Sequence, residues 1–469
     1  MTAQVDQPTY PNPAAHTSSP PDPGRDATDR EMLLWAVVVG VVGGLLALAY
    51  YFLLTGLMHF VWSTLGGMEW LKLSPVPGFY PFILLASTSG GFLVGLALKR
   101  LGTPGEIAAV VDNIHLERGR LDYRQTPSMV TASLISITAG GSAGPEAPLV
   151  QIIGSFGSWL GDSLKLQGHL VRILTLCGMS TALGAFFGAP LGGALFALEI
   201  PHRRGLEYYE ALIPSVLSAL IGFAVFKSVL GYDGAIYHLP RLADHELSLV
   251  TVFYGLVLGL FGGLVALVFT WQFTAIGHFA HRLAAHKVKL ATLGGLLVGL
   301  LAQVAPLTLF WGEYQIEGVI LHSETVVRDH GVPLAIGLLG LIAILKMLAI
   351  SCTLHSGFRG GFIFPLFFIG ATLGLAVSLA FPQVPLAVAV LCLMAAVNVA
   401  VTKTPISTTV ILTSLSGTSM LPVIVTASFA SFLLTTRLSL IHSQRPRFPH
   451  PVSLPATIRS KNDELAAPT

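Results

Sequence analysis

The sequence has few charged residues for its length. Of its 469 residues, only 11% are Asp, Glu, Lys or Arg, whereas soluble proteins carry about 25%. Hydrophobic residues make up 53% of the chain and the mean hydropathy is +0.73. This shortage of charge excludes a soluble enzyme of this length. The net charge of +2 comes without any basic cluster that could bind nucleic acid.

Cysteine is equally scarce. Cys177, Cys352 and Cys392 lie far apart inside apolar runs, which fits neither a disulfide framework nor a metal site. The sequence contains no HExxH, GxSxG or paired intramembrane Asp motif. We therefore expect no metal, no cofactor and no enzymatic activity.

What the sequence does have is long apolar runs. Runs of 18 or more apolar residues recur from near Met32 to near Leu434, which predicts an all-α polytopic protein that crosses a lipid bilayer many times. The 49 glycines suit closely packed membrane helices. Residues 1–30 are rich in Pro, Ser, Thr and Asp and are expected to form a disordered tail rather than a signal peptide. Residues 441–469 are expected to form a short C-terminal tail.

The chain repeats itself at a nearly constant separation. Segments 40–60 and 259–279 share nine identical residues 219 positions apart. Three further pairs follow in the same order: GGFLVGL with GGLLVGL, Gly144–Pro148 with Gly361–Pro365, and Pro190 with Pro405. The pattern predicts two membrane repeats, residues 31–230 and 246–440.

Loop charges indicate that the two repeats are inverted. The loop after the first helix is nearly free of basic residues in the first repeat, with Lys72 only, but basic in the second. The loop after the second helix is basic in the first repeat and mostly acidic in the second. Because cytoplasmic loops are enriched in Lys and Arg, this reversal predicts an inverted-topology repeat with both termini cytoplasmic and a substrate site between the repeats.

Two glycine-rich stretches are candidates for an anion site. They are Gly140–Pro148 and Ser356–Pro365, and each ends in a proline that heads an apolar helix. The N–H groups at a helix start are unpaired and carry a partial positive charge, so they can hold an anion without a full cation. Short, interrupted apolar runs at matching places in both halves predict broken helices that bring these starts together.

Glu146 lies within the first of these stretches. A carboxylate at membrane depth is costly and indicates function: charged, it could occupy the anion site, and protonated, it could leave. The alternative is a helix-start glutamate exposed in a loop and stabilised by the helix dipole.

Four segments in order resemble the CLC family of chloride channels and chloride/proton exchangers. They are GGSAGPEAPLVQ, FGAPLGGALFALE, SGFRGGFIFP and KTPISTTVILTSLSG, and the resemblance covers residues 32–445. It implies a CLC-type inverted-topology repeat with broken and re-entrant helices, a homodimer in the cell membrane, and one chloride pore per subunit. It also implies that Glu146 is the external gating glutamate. The implied anion-binding residues are Gly144, Pro145, Glu146, Ala147, Gly361, Phe362 and Ile363.

The sequence departs from the family pattern at three places. The Ser of the family's first signature is replaced by Gly102, with Thr103 as a possible substitute, and the Tyr near the end by Ile441. We keep all three as anion-binding candidates, but side-chain coordination of the anion is in doubt. The exchangers' inner proton glutamate falls at Ile200, which favours a channel. Three nearby carboxylates remain as substitute proton acceptors, namely Glu199, Glu207 and Glu210.

Alternatives remain open at this stage. A chloride/proton exchanger with a non-standard inner acceptor is the main rival to a channel, followed by an organic-solute carrier and an intramembrane enzyme. Lys346 and Lys403 either add positive potential to a pore or reach an interface. His59, His278 and His355 lie in apolar segments. His59 and His278, which are repeat partners near helix ends, are expected to pack at interfaces rather than relay protons.

Overall fold

The fold was obtained as a computed structural model, and the chain is almost entirely helical. The structure describes residues 24–68, 79–105, 107–116, 119–204, 209–231, 247–438, 440–441 and 443–446. Within these ranges, eight helices are long and apolar enough to cross a membrane. One short parallel pair of strands, β1 (His202–Arg204) and β2 (Arg445–Pro446), joins the C-terminal segment to the first half. The predicted polytopic all-α architecture is confirmed.

Among the described residues, each half contains eight α-helices. In the first half these are α1 (Asp29–Met58), α2 (Pro81–Leu101), α3 (Ile107–Leu116), α4 (Thr126–Thr138), α5 (Glu146–Ser163), α6 (Gly168–Phe187), α7 (Pro190–Glu199) and α8 (Tyr209–Leu230). In the second half they are α9 (Leu249–His281), α10 (Lys287–Val304), α11 (Glu313–His330), α12 (Val332–His355), α13 (Ile363–Ala380), α14 (Leu386–Thr402), α15 (Pro405–Ser416) and α16 (Leu421–Leu434). A π-helical segment, His59–Leu65, extends α1, and 3-10 turns lie at Tyr123–Gln125, Pro306–Thr308 and Thr418–Met420.

Broken helices occur at the same place in both halves. α6 ends at Gly188, with φ +69°, and α14 ends at Lys403, with φ +62°. Two residues later Pro190 and Pro405 begin new helices of 10 and 12 residues, because proline suits the first turn of a helix. Helices of that length are shorter than the roughly 30 Å of a bilayer's apolar core. Neither short helix therefore spans the bilayer by itself.

The two halves are related by a local two-fold axis. Helices that lie on such an axis contact their own repeat partners. Here α2 contacts α10, and α7 contacts α15. At the centre Gly144 and Gly361 exchange two main-chain hydrogen bonds, Gly144 N–H to Gly361 O (2.7 Å) and Gly361 N–H to Gly144 O (2.6 Å). These residues are 217 positions apart, which is the separation of the repeat.

Side chains near the axis follow the same symmetry. Ser142 N–H donates to Thr353 Oγ1 (3.0 Å), and Arg359 N–H donates to Ser136 Oγ (2.9 Å). Exchanging the halves converts each bond into the other, since both donors and both acceptors are 217 residues apart. The inverted repeat predicted from loop charges is confirmed, and its symmetry is closest at the glycine-rich stretches.

The centre of the fold is formed by α6 and α14. All residues of α6 are buried except His169 and Arg172. All residues of α14 are buried except Leu386. The outer helices expose large apolar side chains instead, such as Leu34 on α1, Trp271 on α9 and Ile344 on α12. Apolar side chains on the outside suit lipid contact.

Both predicted tails contain described residues that belong to the folded body. Residues 24–30 belong to the folded body: the main chain of Arg25 pairs with that of Lys165 and Gln167, and α1 begins at Asp29 behind a Thr28 cap. Residues 440–441 and 443–446 are also anchored, since Gln444 Nε2 donates to the carbonyls of Ile200 (2.8 Å) and Thr402 (2.6 Å). Residues 1–23 and 447–469 of the two tails lie outside the described ranges.

The crossing of α2 with α10 gives a stability prediction. A Cβ at Gly91 would lie 2.3 Å from Ala291 O, and one at Gly295 would lie 2.1 Å from Ser87 O. Gly91→Val and Gly295→Val should each destabilise the protein by about 1–3 kcal/mol or more, because the helices must separate. Gly337→Val, where a Cβ meets nothing within 4 Å, is the matched control. Thermal unfolding in detergent measures the difference, and equal melting temperatures for all three variants would contradict the helix contact.

Candidate functional site

Two helix starts meet at the centre of the fold. α5 begins at Glu146 and α13 begins at Ile363, and the reciprocal Gly144–Gly361 pair lies directly before both. Each preceding stretch turns at a glycine with positive φ, Gly140 (+89°) and Gly357 (+96°). The positive ends of two helix dipoles therefore converge on one buried place, which favours an anion.

A carboxylate of the protein itself occupies this place. The Glu146 side chain is 1% exposed, and its Oε1 accepts a hydrogen bond from Ile363 N–H (2.9 Å). Glu146 is the first residue of α5, so its side chain reaches across the two-fold axis to the first residue of the partner helix. The carboxylate stands where a free anion bound at the start of α13 would stand. The alternative of an exposed loop glutamate is wrong.

The two bridging glycines make room for this carboxylate. A Cβ at Gly144 would lie 1.9 Å from Glu146 Oε2, and a Cβ at Gly361 would lie 2.3 Å from Glu146 Cδ. Atoms that are not bonded to each other do not approach this closely, so any other residue at either position would have to displace the Glu146 side chain. These positions require glycine for space, since neither has a positive φ.

A narrow apolar cavity of about 30 Å³ leads away from Glu146. We name it the glutamate cavity; its wall consists of Gly105, Val110, Val111, Met129, Glu146, Ala147, Val150, Met179, Leu183, Phe196, Ile200 and Ile363. Among these residues Glu146 is the one that can titrate. Ile200, at the position of the family's inner proton glutamate, is part of the same wall.

A second cavity of about 80 Å³ adjoins the first. We name it the arginine cavity; its wall consists of Met129, Ala147, Phe273, Leu354, Phe358, Arg359, Gly360, Phe362, Leu440 and Ile441. Met129 and Ala147 belong to both walls. Arg359 is the one charged residue in this wall, and only 5% of it is exposed. Arg359 belongs to the SGFRGGFIFP segment, where a cation within an apolar, glycine-rich stretch is the sequence signal for a functional residue.

The structure brings most of the predicted anion-binding residues together. Glu146, Ala147 and Ile363 line the glutamate cavity, Phe362 and Ile441 line the arginine cavity, and Gly144 and Gly361 form the bridge between the helix starts. Pro145 is buried directly before α5.

Gly102 and Thr103 line neither cavity. The chain turns at Gly102, with φ +88°, and both residues are exposed beyond the end of α2. Gly102 O accepts from Ser128 Oγ (2.6 Å), and Thr103 Oγ1 accepts from Lys287 Nζ (2.6 Å). Gly105, three residues after Gly102, lines the glutamate cavity instead. The sequence pattern does not show how far this turn displaces the stretch.

Glu199 is turned away from the glutamate cavity. Its carboxylate is buried and accepts hydrogen bonds from Ile406 N–H (3.1 Å), Ser407 N–H (2.8 Å) and Ser407 Oγ (2.6 Å). It therefore caps the start of α15. Glu210 is exposed at the start of α8, and Glu207 lies outside the described residues.

The lysines have structural contacts that explain their burial. Lys346 Nζ donates to the carbonyls of Thr308 (3.1 Å), Leu309 (3.0 Å) and Phe310 (2.7 Å). Lys403 Nζ donates to the carbonyls of Ala400 and Thr435. Neither lysine lines the glutamate or the arginine cavity, and both are buried, so neither snorkels to an interface.

None of the three histidines lines either cavity. His59 and His278 are exposed near the ends of their helices. The His355 ring packs against that of Phe273, with 4.1 Å between the ring centres.

Comparison with known proteins identifies the family. The model of the voltage-gated chloride channel family matches residues 90–435. The chain belongs to this family. A chloride/fluoride channel protein of Pseudomonas syringae pv. tomato is 29% identical over 375 residues, covering 78% of this chain and 79% of that protein. The resemblance to the CLC family seen in the sequence is confirmed.

Two solved structures share the fold. A CLC-type fluoride/proton antiporter superposes with a TM-score of 0.71 at 22% identity, covering 90% of this chain and 100% of that one. A slow cyanobacterial chloride/proton antiporter gives a TM-score of 0.72 at 21% identity, covering 88% and 95%. The chain is thus a multi-pass CLC-family membrane protein, and the family transports anions.

Gly361→Ala tests the position of the Glu146 carboxylate. The added methyl should displace the carboxylate from Ile363 N–H and raise anion efflux from proteoliposomes at neutral pH. In a Glu146→Ala background the same substitution should change efflux little, because no carboxylate remains to be displaced. Equal effects of Gly361→Ala in both backgrounds would show that the glycine acts on something other than Glu146.

Proposed function

We propose that this protein conducts chloride, or a similar small inorganic anion, across the cell membrane as a CLC-type channel. The observation that carries the proposal is the buried Glu146 carboxylate bound to the start of α13. The chain belongs to a family that transports anions, and a carboxylate already fills the site. Both observations indicate that the ligand is an anion.

Glu146 acts as the gate in this proposal. While charged, its carboxylate competes with a permeating anion for Ile363 N–H. When it is protonated or displaced, the amide and the two helix dipoles become available to the anion. Backbone N–H groups replace part of the hydration shell without binding the ion as strongly as a paired cation would, so the ion can also leave.

Ile200 and Glu199 favour a channel over a proton-coupled exchanger. A proton that leaves Glu146 needs another titratable group or a water chain to continue. Ile200 offers no such group in the wall of the glutamate cavity, and Glu199 is held by α15. Moving an ion through an apolar cavity without partners is expensive, so we propose weak or absent coupling.

The second candidate function is a chloride/proton antiporter. It is favoured because Glu146 and Ile200 both line the glutamate cavity. A cavity of about 30 Å³ has room for one or two water molecules, and a chain of water molecules can carry a proton. The two solved structures of the same fold are proton antiporters, and one of them exchanges fluoride. Fluoride therefore belongs among the anions tested.

An organic-solute carrier is disfavoured by the size of the site. Pockets for such molecules usually measure about 300–1,000 Å³, whereas the glutamate cavity measures about 30 Å³ and the arginine cavity about 80 Å³. Only small ions fit without a large rearrangement.

The gate is tested by Glu146→Gln in reconstituted liposomes. Gln resembles the protonated carboxyl group, so efflux at neutral pH should rise to the level that the wild type reaches in acid, and it should no longer depend on pH. Glu210→Gln, which removes an exposed carboxylate, should keep the wild-type profile. An unchanged rate and pH profile in Glu146→Gln would remove Glu146 from the gate.

Coupling is tested by recording chloride and pH together. Wild-type proteoliposomes with an imposed chloride gradient should dissipate it without driving protons uphill. Sustained uphill proton movement at a fixed chloride-to-proton ratio would replace the channel with the antiporter.

We further propose a homodimer with both termini cytoplasmic, as the family resemblance implies. The short helices α7 and α15 expose Leu191 (49%) and Ile406 (41%), which could lie in such an interface. Light scattering of the detergent-solubilised protein should give twice the chain mass of 49.6 kDa. A single chain mass at all protein concentrations would exclude a stable dimer.

A further inference from the structure

Arg359 is a buried cation in the wall of a cavity beside the anion site. Only 5% of the residue is exposed, and it lines the arginine cavity with Ala147 and Phe362. Ala147 follows Glu146, and Phe362 precedes Ile363. Arg359 therefore lines a cavity whose wall also contains the neighbours of both helix-start residues that meet at this site.

The main chain of Arg359 is fixed. Its N–H donates to Ser136 Oγ (2.9 Å), and the neighbouring Gly360 and Gly361 pack against the opposite stretch, where a Cβ at Gly360 would lie 2.6 Å from Ala143 Cβ. The guanidinium consequently projects from a rigid base. A rigid base suits a residue that must hold a ligand at a defined place.

Arg359 also breaks the two-fold symmetry of the site. Its repeat partner is Ser142, a small neutral residue whose main chain makes the equivalent bond to Thr353. The scaffold of the two stretches is thus the same, but a full positive charge lies on one side only. The scaffold does not require an arginine, since Ser142 supports the same hydrogen bond without one.

Arg359 lines a cavity that lacks the two hydroxyl side chains of the family pattern, a tyrosine and a serine. Ile441, at the position of the family's tyrosine, lines the same cavity with an aliphatic side chain, and Gly102, at the position of its serine, lines neither cavity. Among the side chains of the arginine cavity, Arg359 is the one that donates hydrogen bonds. A cation buried at membrane depth is by itself a candidate functional residue.

We propose that Arg359 is a specificity-determining residue whose guanidinium completes an anion site in the arginine cavity, in place of the missing hydroxyl groups. The proposal rests on the function proposed above and names a ligand preference within it. The planar fork of a guanidinium matches planar oxyanions through two parallel hydrogen bonds, which a spherical halide cannot accept in the same way. Arg359 should therefore favour nitrate relative to chloride.

The experiment measures anion binding to the full chain in detergent, by calorimetry and by the rise in melting temperature that a bound ligand causes. Chloride and nitrate are titrated against the wild type, Arg359→Lys and Arg359→Gln. Arg120→Gln is the matched control, because it removes the same charge from an exposed ion pair with Asp162.

Arg359→Gln should weaken the binding of both anions by about tenfold or more, which corresponds to about 1.4 kcal/mol. Arg359→Lys should retain chloride binding and lose most of the preference for nitrate, because an ammonium keeps the charge but not the fork. Arg120→Gln should bind both anions as the wild type does. Melting temperatures without anion show which variants are folded, and Arg359→Lys serves if Arg359→Gln is not.

Two results would overturn the inference. One is wild-type affinity for both anions in a folded Arg359→Gln variant. The other is an unchanged nitrate-to-chloride ratio in Arg359→Lys. Failure of the proposed function looks different: wild-type proteoliposomes would pass no anion, while the binding measurements would still report the role of Arg359.

Discussion

The reciprocal hydrogen bonds between Gly144 and Gly361 are the contact on which the site depends. They hold two helix starts from opposite halves side by side, deep in the protein. Each start has N–H groups without a partner inside its own helix, and the cavities beside the site are lined mostly by apolar residues. Because two glycines form the contact, a carboxylate can lie directly against it. The pairing of the main chains thus creates the demand for an anion and leaves the space for one.

The symmetry of the fold explains its architecture, and the departures from symmetry explain its chemistry. Gly140 matches Gly357, Ser136 matches Thr353, and the main-chain bonds of Ser142 and Arg359 match each other. At the first helical position, however, one half has Glu146 and the other Ile363. A symmetric pair of glutamates would place two negative charges at one site and repel each other. A single glutamate can instead fill the partner's helix start and be replaced there by an ion.

The sequence predicted the scaffold well, because glycine and proline positions and loop charges report backbone geometry directly. Pro190 and Pro405 marked matching positions of the repeat, and the stretches around Gly144 and Gly361 marked the helix starts. The sequence pattern did not show what tertiary contacts decide. The turn at Gly102 moves that residue and Thr103 to the exposed end of α2, three carbonyls fix Lys346, and Gln444 ties the C-terminal segment to Ile200. Pattern alone does not show which carbonyl a buried donor will find.

The contrast between Glu146 and Glu199 shows how the same structural principle gives two different outcomes. Both are buried carboxylates that accept main-chain N–H groups at the start of a helix in the other half. Glu199 also accepts Ser407 Oγ and packs away from the glutamate cavity, so its interactions are complete and it acts as a structural cap. The Glu146 bond to Ile363 lies beside a cavity of about 30 Å³. The proposed gate depends on this difference: a buried helix cap can act as a gate only where a competitor reaches the same donor, and of the two carboxylates only Glu146 lines the glutamate cavity.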